Sequence, residues 1–135
     1  MENREIARRW NEQLFNAGGD IDTADAFVAA DLVDHSAPPG MPGGREGVKA
    51  QARLFRSAFP DIWSRVTHVV ADGDLVATRW EGGGTHQGAF FGIPPTGRTG
   101  ATTGTHLFRI ADGMSVEHWS NSDDLGMLRS LGVIP

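Results

Sequence analysis

The sequence of 135 residues contains no cysteine, no long apolar run and no cluster of basic residues. Without cysteine there is no disulfide framework, no thiolate nucleophile and no thiolate metal site. No apolar run approaches the roughly 20 residues that cross a bilayer. The N-terminal residues also lack the cationic and then apolar order of a signal peptide. We therefore expect a cytoplasmic protein with no membrane partner.

Charge and histidine spacing exclude further classes. The net charge of -5 gives no electrostatic reason to bind phosphate backbones, so nucleic acid is not an expected partner. No phosphate-binding loop or dinucleotide fingerprint is present. No metal is expected either, because no two histidines have the close spacing of a helical or strand ligand pair. The five histidines are His35, His68, His86, His106 and His118. If the protein is an enzyme, cofactor-free acid/base chemistry is what remains.

The length allows one domain, which we place over residues 1–135. Apolar residues at helical spacing predict helices over about 6–17, from about Asp22 to Ala30, and over about 45–58. Pro60 stops the third helix. A short helix over 125–131 closes the chain.

From Ile62 onward the apolar period changes to two, which predicts antiparallel strands. The first hairpin joins residues 66–71 to 75–80, and the second joins 99–110 to 114–121. Helices followed by antiparallel strands indicate an α+β fold. The loop between the hairpins, rich in glycine and proline from Gly84 to Arg98, is long enough to be a lid or a pocket wall.

The second hairpin allows a prediction of which side chains share a face. If Asp112-Gly113 is a two-residue turn, His106 lies opposite Trp119, and Phe108 lies opposite Glu117. Alternation then puts five residues on one face, unless a one-residue bulge shifts the pairing. These residues are His106, Phe108, Glu117, Trp119 and Asn121. His118 is expected on the opposite face, at the surface.

Several polar residues near this face are candidates for chemistry. His106 fits a general acid/base or a donor to a substrate carbonyl, because its pKa lies near working pH. Asp123 fits a proton-transfer carboxylate in an apolar pocket, or only the cap of the last helix. His35 fits the pocket mouth, or a local hydrogen bond with Asp34. His68, without polar neighbours, is a weaker candidate.

Two further residues have two interpretations each. His86 either reaches into the cavity or anchors the loop that follows it. Arg79 either binds an anionic substrate group or lies on a solvated strand face.

Eight short motifs, in order along nearly the whole chain, resemble the SnoaL-like polyketide cyclase (ester cyclase) family. They are Asp34-His35, Ala58-Phe59-Pro60-Asp61, Asp72-Gly73-Asp74-Leu75-Val76-Ala77, Gly84-Thr85-His86-Gln87-Gly88, Gly92-Ile93-Pro94-Pro95-Thr96-Gly97, Phe108-Arg109-Ile110-Ala111-Asp112-Gly113, Glu117-His118-Trp119 and Leu131-Gly132. The resemblance implies an α+β cone like that of nuclear transport factor 2 and ketosteroid isomerase, with one deep pocket. It also implies a homodimer.

The resemblance further implies intramolecular aldol chemistry on a small carbonyl substrate, without metal or cofactor. On that basis Asp123 removes a proton, while His106 and Asn121 stabilise the enolate. Trp119, Phe90 and Phe91 supply apolar walls. Other family members carry an acid directly after the tryptophan, where this chain has Ser120. A hydrolase, an isomerase, a hydroxylase and a non-catalytic binding module therefore stay open as alternatives.

Overall fold

Three of the four predicted helices form where expected. In the computed structural model, which describes residues 1–135, α1 (Asn3–Arg9) continues directly into a π-helical segment (Trp10–Leu14). Helix α2 (Gly44–Ala58) ends two residues before Pro60, and α3 (Asp124–Ser130) follows the last strand. None of the helices is both long and apolar enough to span a membrane.

The predicted helix from Asp22 to Ala30 forms only as a short 3₁₀ helix, and its second half is wrong. A 3₁₀ turn (Ile21–Ala26) begins where the Asp20 side chain accepts from the Asp22 N–H, and strand β1 (Val28–Asp34) follows. Val28 and Leu32 are both buried in β1, four residues apart, and the pairing of the strand is irregular between Val28 and Val33. That spacing imitates a helix, and pairing with a distant strand overrides the local preference.

Both predicted hairpins are confirmed, and their strands are longer than expected. The strands are β2 (Trp63–Asp72), β3 (Leu75–Thr85), β4 (Thr99–Ala111) and β5 (Met114–Ser122). The sheet order is β1-β5-β4-β3-β2, and only β1 and β5 run parallel. Asp112 and Gly113 both have positive φ, 52° and 75°, as a type I′ turn requires.

The helices pack on one face of this sheet, which we call the inner face; the opposite side is the outer face. The main core joins α1 and α2 to the inner face through the buried residues Ile6, Trp10, Leu14, Phe27, Val28, Val48, Val76 and Phe108. A second, smaller cluster lies beneath the loop over residues 86–98. It consists of Ala58, Phe59, Ile62, Phe90 and Leu131. The fold is therefore the expected α+β arrangement of a curved sheet and helices.

Arg56 of α2 fixes the end of the first helix. Its guanidinium donates to three main-chain carbonyls, those of Gln13 at 2.6 Å, Leu14 at 3.2 Å and Gly19 at 2.9 Å. The last carbonyls of a helix have no partner within the helix, so a side chain must satisfy them where water is excluded. Arg56 thereby holds the π-helical segment against α2.

We expect Arg56→Met to lower the free energy of unfolding by about 2 kcal/mol, because three carbonyls lose a charged donor. Urea denaturation measures this loss. Arg53→Met, at an exposed position of the same helix, is the matched control and should change stability by less than about 0.5 kcal/mol. Equal losses in the two variants would contradict the capping role.

Candidate active site

A cavity of about 560 Å³ lies between the inner face of the sheet, the first two helices, the 86–98 loop and α3. Aromatic and aliphatic side chains form much of its wall, and Asp124 is the only charged residue in it. Small-molecule sites are typically concave, mostly apolar and supplied with few polar groups. The polar or titratable side chains in the wall include Asn11, Ser36, Gln51, Ser64, Thr102, His106, His118, Ser120 and Asn121.

A β-bulge decides which residues of β5 face this cavity. Ala111 pairs with Met114 as predicted, but Ile110 then pairs with Ser115 and Arg109 with Glu117, which leaves Val116 as the extra residue. The predicted pairs beyond the turn are therefore wrong by one residue. His106 lies opposite Ser120, and Phe108 lies opposite His118. One added residue exchanges the two faces of a strand.

His118 consequently lies inside the protein, and its predicted surface position is wrong. It is only 3 % exposed and stacks on Trp10, with the ring centroids 4.2 Å apart. Its Nδ1 lies 2.9 Å from Asp34 Oδ1, and its Nε2 lies 2.8 Å from His106 Nδ1. Asp34, His118 and His106 thus form a hydrogen-bonded chain, which we call the relay.

The relay has one consistent arrangement of protons when both imidazoles are neutral. An ionised carboxylate can only accept, so His118 Nδ1–H donates to Asp34. His118 Nε2 then accepts from His106 Nδ1–H, and His106 Nε2 keeps a free lone pair. This nitrogen makes no hydrogen bond within the protein, and His106 lines the cavity. The relay therefore presents a basic nitrogen at the cavity.

The surroundings favour this arrangement of charges. Burial, followed by the neighbouring His118, holds the pKa of His106 well below its ordinary value of 6.5. Burial opposes ionisation of Asp34, but the hydrogen bond from His118, helped by the Ser36 N–H, keeps the pKa of that carboxyl below its ordinary value. The relay thus joins a neutral imidazole at the cavity to a carboxylate behind it.

Aromatic rings hold the His106 imidazole in place. Trp80 stacks on it with a centroid distance of 5.7 Å and an interplanar angle of 19°, and the centroids of Trp10 and Phe108 lie 6.0 and 5.5 Å away. Gly104 makes room for the indole, since a Cβ there would lie 2.5 Å from Trp80 Cζ2. The imidazole therefore sits in an apolar frame with little freedom to turn.

Ser120 occupies the inner-face position beside His106. The Ser120 backbone N–H donates to Ser36 Oγ at 2.8 Å, and the Ser36 hydroxyl donates to the Ser120 carbonyl at 3.2 Å. The Ser120 side chain thus stands where other family members are expected to carry an acid. No carboxylate lies next to His106 inside the cavity.

Three of the predicted site residues lie on the outer face: Glu117 and Trp119, which the bulge turns away from the cavity, and His35, which follows β1 and contacts both of them. His35 stacks on Trp119 at a centroid distance of 4.8 Å, and its Nε2 lies 2.9 Å from Glu117 Oε2. Hydrogen bonds from His35 and Arg109 lower the pKa of Glu117. The predicted inward position of Glu117 and Trp119 is therefore wrong. The local Asp34–His35 bond is also absent, since Asp34 pairs with His118 instead.

The predicted candidates Asn121, Arg79 and His68 also contribute little to the cavity. Asn121 is exposed and borders the cavity, two residues along the outer-face alternation from Trp119. Arg79 lies on the outer face, where it contacts Glu81 at 3.1 Å and the Thr67 hydroxyl at 3.2 Å. His68 is exposed on the same strand pair.

Asp123 caps α3. Its Oδ1 accepts from the Gly126 N–H at 2.9 Å, its side chain is exposed, and it is not part of the cavity wall. The predicted position of this carboxylate within an apolar pocket is therefore wrong, and the alternative interpretation as a helix cap describes its contacts.

His86 anchors the 86–98 loop. The ring is fully buried against Phe59, and its Nδ1 accepts from the Thr96 N–H at 3.2 Å. The loop in turn brings Phe90 and Phe91 into the cavity wall, where the sequence analysis expected them. Phe91 has a positive φ of 47°, which is strained for an aromatic residue.

Five residues of the site were not predicted from the sequence to belong to it. They are Asp34, His118, Asn11, Ser64 and Trp80. Asp34 and His118 stand in the quoted motifs, but only the bulge reveals that they meet. Asn11 and Ser64 come from segments more than 50 residues apart, which meet at 2.7 Å. No group of three or more His, Asp and Glu side chains has the geometry of a metal site.

Comparison with known proteins agrees with this architecture. The SnoaL-like polyketide cyclase family matches residues 5–131. The chain belongs to this family. No curated protein of known function matches.

Several solved structures are similar to this chain over nearly its whole length. IdmH of Streptomyces antibioticus, described as a candidate polyketide cyclase, is 38% identical with a TM-score of 0.82, over 98% of this chain and 99% of its own. TsrD of Streptomyces laurentii is 28% identical with a TM-score of 0.83, over 98% and 93%. AclR of Streptomyces galilaeus, described as a candidate hydroxylase, is 27% identical with a TM-score of 0.74, over 98% and 78%.

The lowered pKa of His106 has a consequence for stability. Below about pH 6.5 the unfolded chain takes up a proton at His106 more readily than the folded chain, so the free energy of unfolding decreases as the pH falls. Between pH 7.5 and 5.5 this group should lower the free energy of unfolding by at most about 1.4 kcal/mol. Ordinary carboxyl groups titrate below this window.

Chemical denaturation of the wild type and of His106→Gln at the two pH values measures the difference. The wild type should lose more stability than the variant on acidification, by up to about 1.4 kcal/mol. An equal loss in both proteins would show that His106 takes up its proton in the folded state.

Proposed function

We propose that this protein is a cofactor-independent acid/base enzyme that acts on a neutral, polyketide-like carbonyl compound, and that it catalyses an intramolecular aldol-type cyclisation. The observation that carries the proposal is the free Nε2 of His106, a neutral imidazole nitrogen at an apolar cavity with a carboxylate behind it. The family assignment supports the reaction class, and the residues of this chain support the identity of the base.

His106 Nε2 removes a proton from the carbon next to a substrate carbonyl, which leaves an enolate and an imidazolium. The positive charge is then shared along the relay, because the Nδ1–H of His106 points at His118 and His118 points at Asp34. The enolate carbon attacks a second carbonyl of the same folded substrate. The resulting alkoxide takes the proton back from His106 Nε2, so the imidazole ends neutral.

The composition of the cavity supports a neutral substrate. No lysine or arginine lines it, so no fixed cation is available for a carboxylate or a phosphate. Phe55, Phe90, Trp80 and Trp10 offer apolar and stacking surface that suits a substrate with aromatic or partly aromatic rings. A cavity of about 560 Å³ is in the range that holds a small multi-ring compound.

The test is exchange of deuterium for the C1 hydrogens of 2-tetralone, a neutral bicyclic ketone, followed by proton NMR in deuterated water. We expect the wild type to accelerate exchange and His106→Gln to lower the rate by at least about 100-fold, since general-base catalysis is worth that much. Asp34→Asn should lower it about tenfold, because it loses the charge that stabilises the imidazolium.

Asp123→Asn is the matched control, because asparagine also caps a helix. Its exchange rate should stay within about twofold of the wild type. A large loss in Asp123→Asn, or none in His106→Gln, contradicts the assignment of the base. Absence of any acceleration by the wild type favours the alternative of a non-catalytic binding module.

We also propose that the protein forms a homodimer through the outer face of the sheet. Leu107 and Val33 are exposed there, at 37% and 50%. Trp119 pairs with Leu107, and the ion pair between Arg109 and Glu117 lies on the same face. A second copy of this mixed surface would bury the apolar residues and pair the charges.

Light scattering should give twice the chain mass of 14.5 kDa for the wild type. Leu107→Asp should shift the mass toward the monomer, since it puts a carboxylate into the apolar part of the interface. Leu125→Asp, at an exposed position of α3, should leave the mass unchanged. A monomeric wild type contradicts the proposal.

A further inference from the structure

Five buried side-chain polar atoms in the protein lack a hydrogen-bond partner. They are Asn11 Oδ1, Thr78 Oγ1, Trp80 Nε1, His86 Nε2 and Ser115 Oγ. A buried polar atom without a partner is costly, so each one calls for an explanation. Of these residues, only Asn11 and Trp80 line the cavity.

Asn11 stands out because its side chain is both fixed and incomplete. The residue is 2% exposed, and its Nδ2 donates to Ser64 Oγ at 2.7 Å. The other end of the amide has no partner. Ser64 Oγ can donate as well as accept, so the amide can present either its oxygen or its NH₂ group at the free position.

The backbone around Asn11 is also unusual. The residue lies in the π-helical segment Trp10–Leu14, a conformation that is rare and is found frequently at functional sites. Its neighbour Trp10 contacts the rings of both His106 and His118, at centroid distances of 6.0 and 4.2 Å. The unpartnered amide therefore stands one residue away from the indole that touches both imidazoles of the relay.

We propose that Asn11, held by Ser64, is the hydrogen-bonding partner of the reacting oxygen of the substrate. This oxygen belongs to the carbonyl next to the carbon that His106 deprotonates, so the inference rests on the proposed function. A ketone oxygen accepts from the amide NH₂, and the enolate accepts more strongly. With its NH₂ group bonded to the Ser64 hydroxyl, the Asn11 amide instead presents its oxygen, which accepts from the hydroxyl of the corresponding enol. Asn11 thus takes the place that the sequence analysis gave to Asn121.

The test measures binding and needs no turnover. 2-Naphthol resembles the enol form of 2-tetralone, and 2-methylnaphthalene has the same shape without the oxygen. Equilibrium dialysis gives the affinity of each compound for each variant. We expect the wild type to bind 2-naphthol about three- to tenfold more tightly than 2-methylnaphthalene, as one hydrogen bond predicts.

Asn11→Leu should abolish this preference and leave the affinity for 2-methylnaphthalene within about twofold, because leucine has a similar volume. Ser64→Ala keeps the amide but removes its anchor, so it should weaken the preference without disturbing α1. Circular dichroism checks the fold of both variants. An equal loss of both affinities in Asn11→Leu would indicate a structural role and overturn the proposal.

His106→Gln and Trp80→Phe identify the competing partners. Both should retain the preference for 2-naphthol. If Asn11→Leu retains it and either of these variants loses it, the hydroxyl binds there and the proposal is wrong. Failure of the wild type to prefer 2-naphthol also overturns it. The two proposals can fail separately. If Asn11→Leu loses the preference for 2-naphthol while His106→Gln keeps the wild-type rate of deuterium exchange, Asn11 remains the binding partner of the oxygen, and only the assignment of His106 as the base is wrong.

Discussion

The site depends on keeping a titratable imidazole neutral within an apolar wall. Desolvation alone would make His106 a poor base, because burial disfavours its protonated form. The Asp34 carboxylate at the far end of the relay offsets part of this effect, because its negative charge stabilises a proton taken up by the imidazoles. Aromatic rings surround the imidazole with apolar surface, and the Asp34 carboxylate supplies the negative charge. The proposed function needs both features, because burial keeps the imidazole neutral before the reaction and the carboxylate stabilises it once it has taken up a proton.

The relay depends on the only parallel strand pair of the sheet, β1 and β5. Asp34 ends β1 and His118 lies in β5, and the parallel pairing brings them side by side. The carboxylate is therefore delivered from the edge of the sheet, behind the imidazoles and away from the cavity. Two other acids lie nearby, Asp124 in the cavity wall and Asp123 at the N-terminal cap of α3. Neither takes part in the relay in place of Asp34.

The sequence predicted features that local patterns determine. The helix over Gly44–Ala58 follows from apolar periodicity and from Pro60, and both hairpins follow from their Asp-Gly turns. The strand β1 was missed because its burial spacing imitates a helix. The faces of β5 were missed because a bulge depends on packing and leaves no local signal at Val116. Asn11 and Ser64 could not be paired, since only the folded chain brings these segments together.

The bulge in β5 has a consequence for the diversity of this family. Val116 has no partner, so its loss would give a regular ladder in which Arg109 still pairs with Glu117 and both faces of β5 stay as they are. If the two strands instead paired regularly with Val116 retained, every pair beyond it would shift by one residue, and the inward and outward sets would exchange. An indole and a carboxylate would replace the imidazole and the hydroxyl now facing the cavity. Gain or loss of such a bulge at a constant number of residues therefore offers these folds an evolutionary route to a new set of cavity side chains, with no change in the rest of the scaffold.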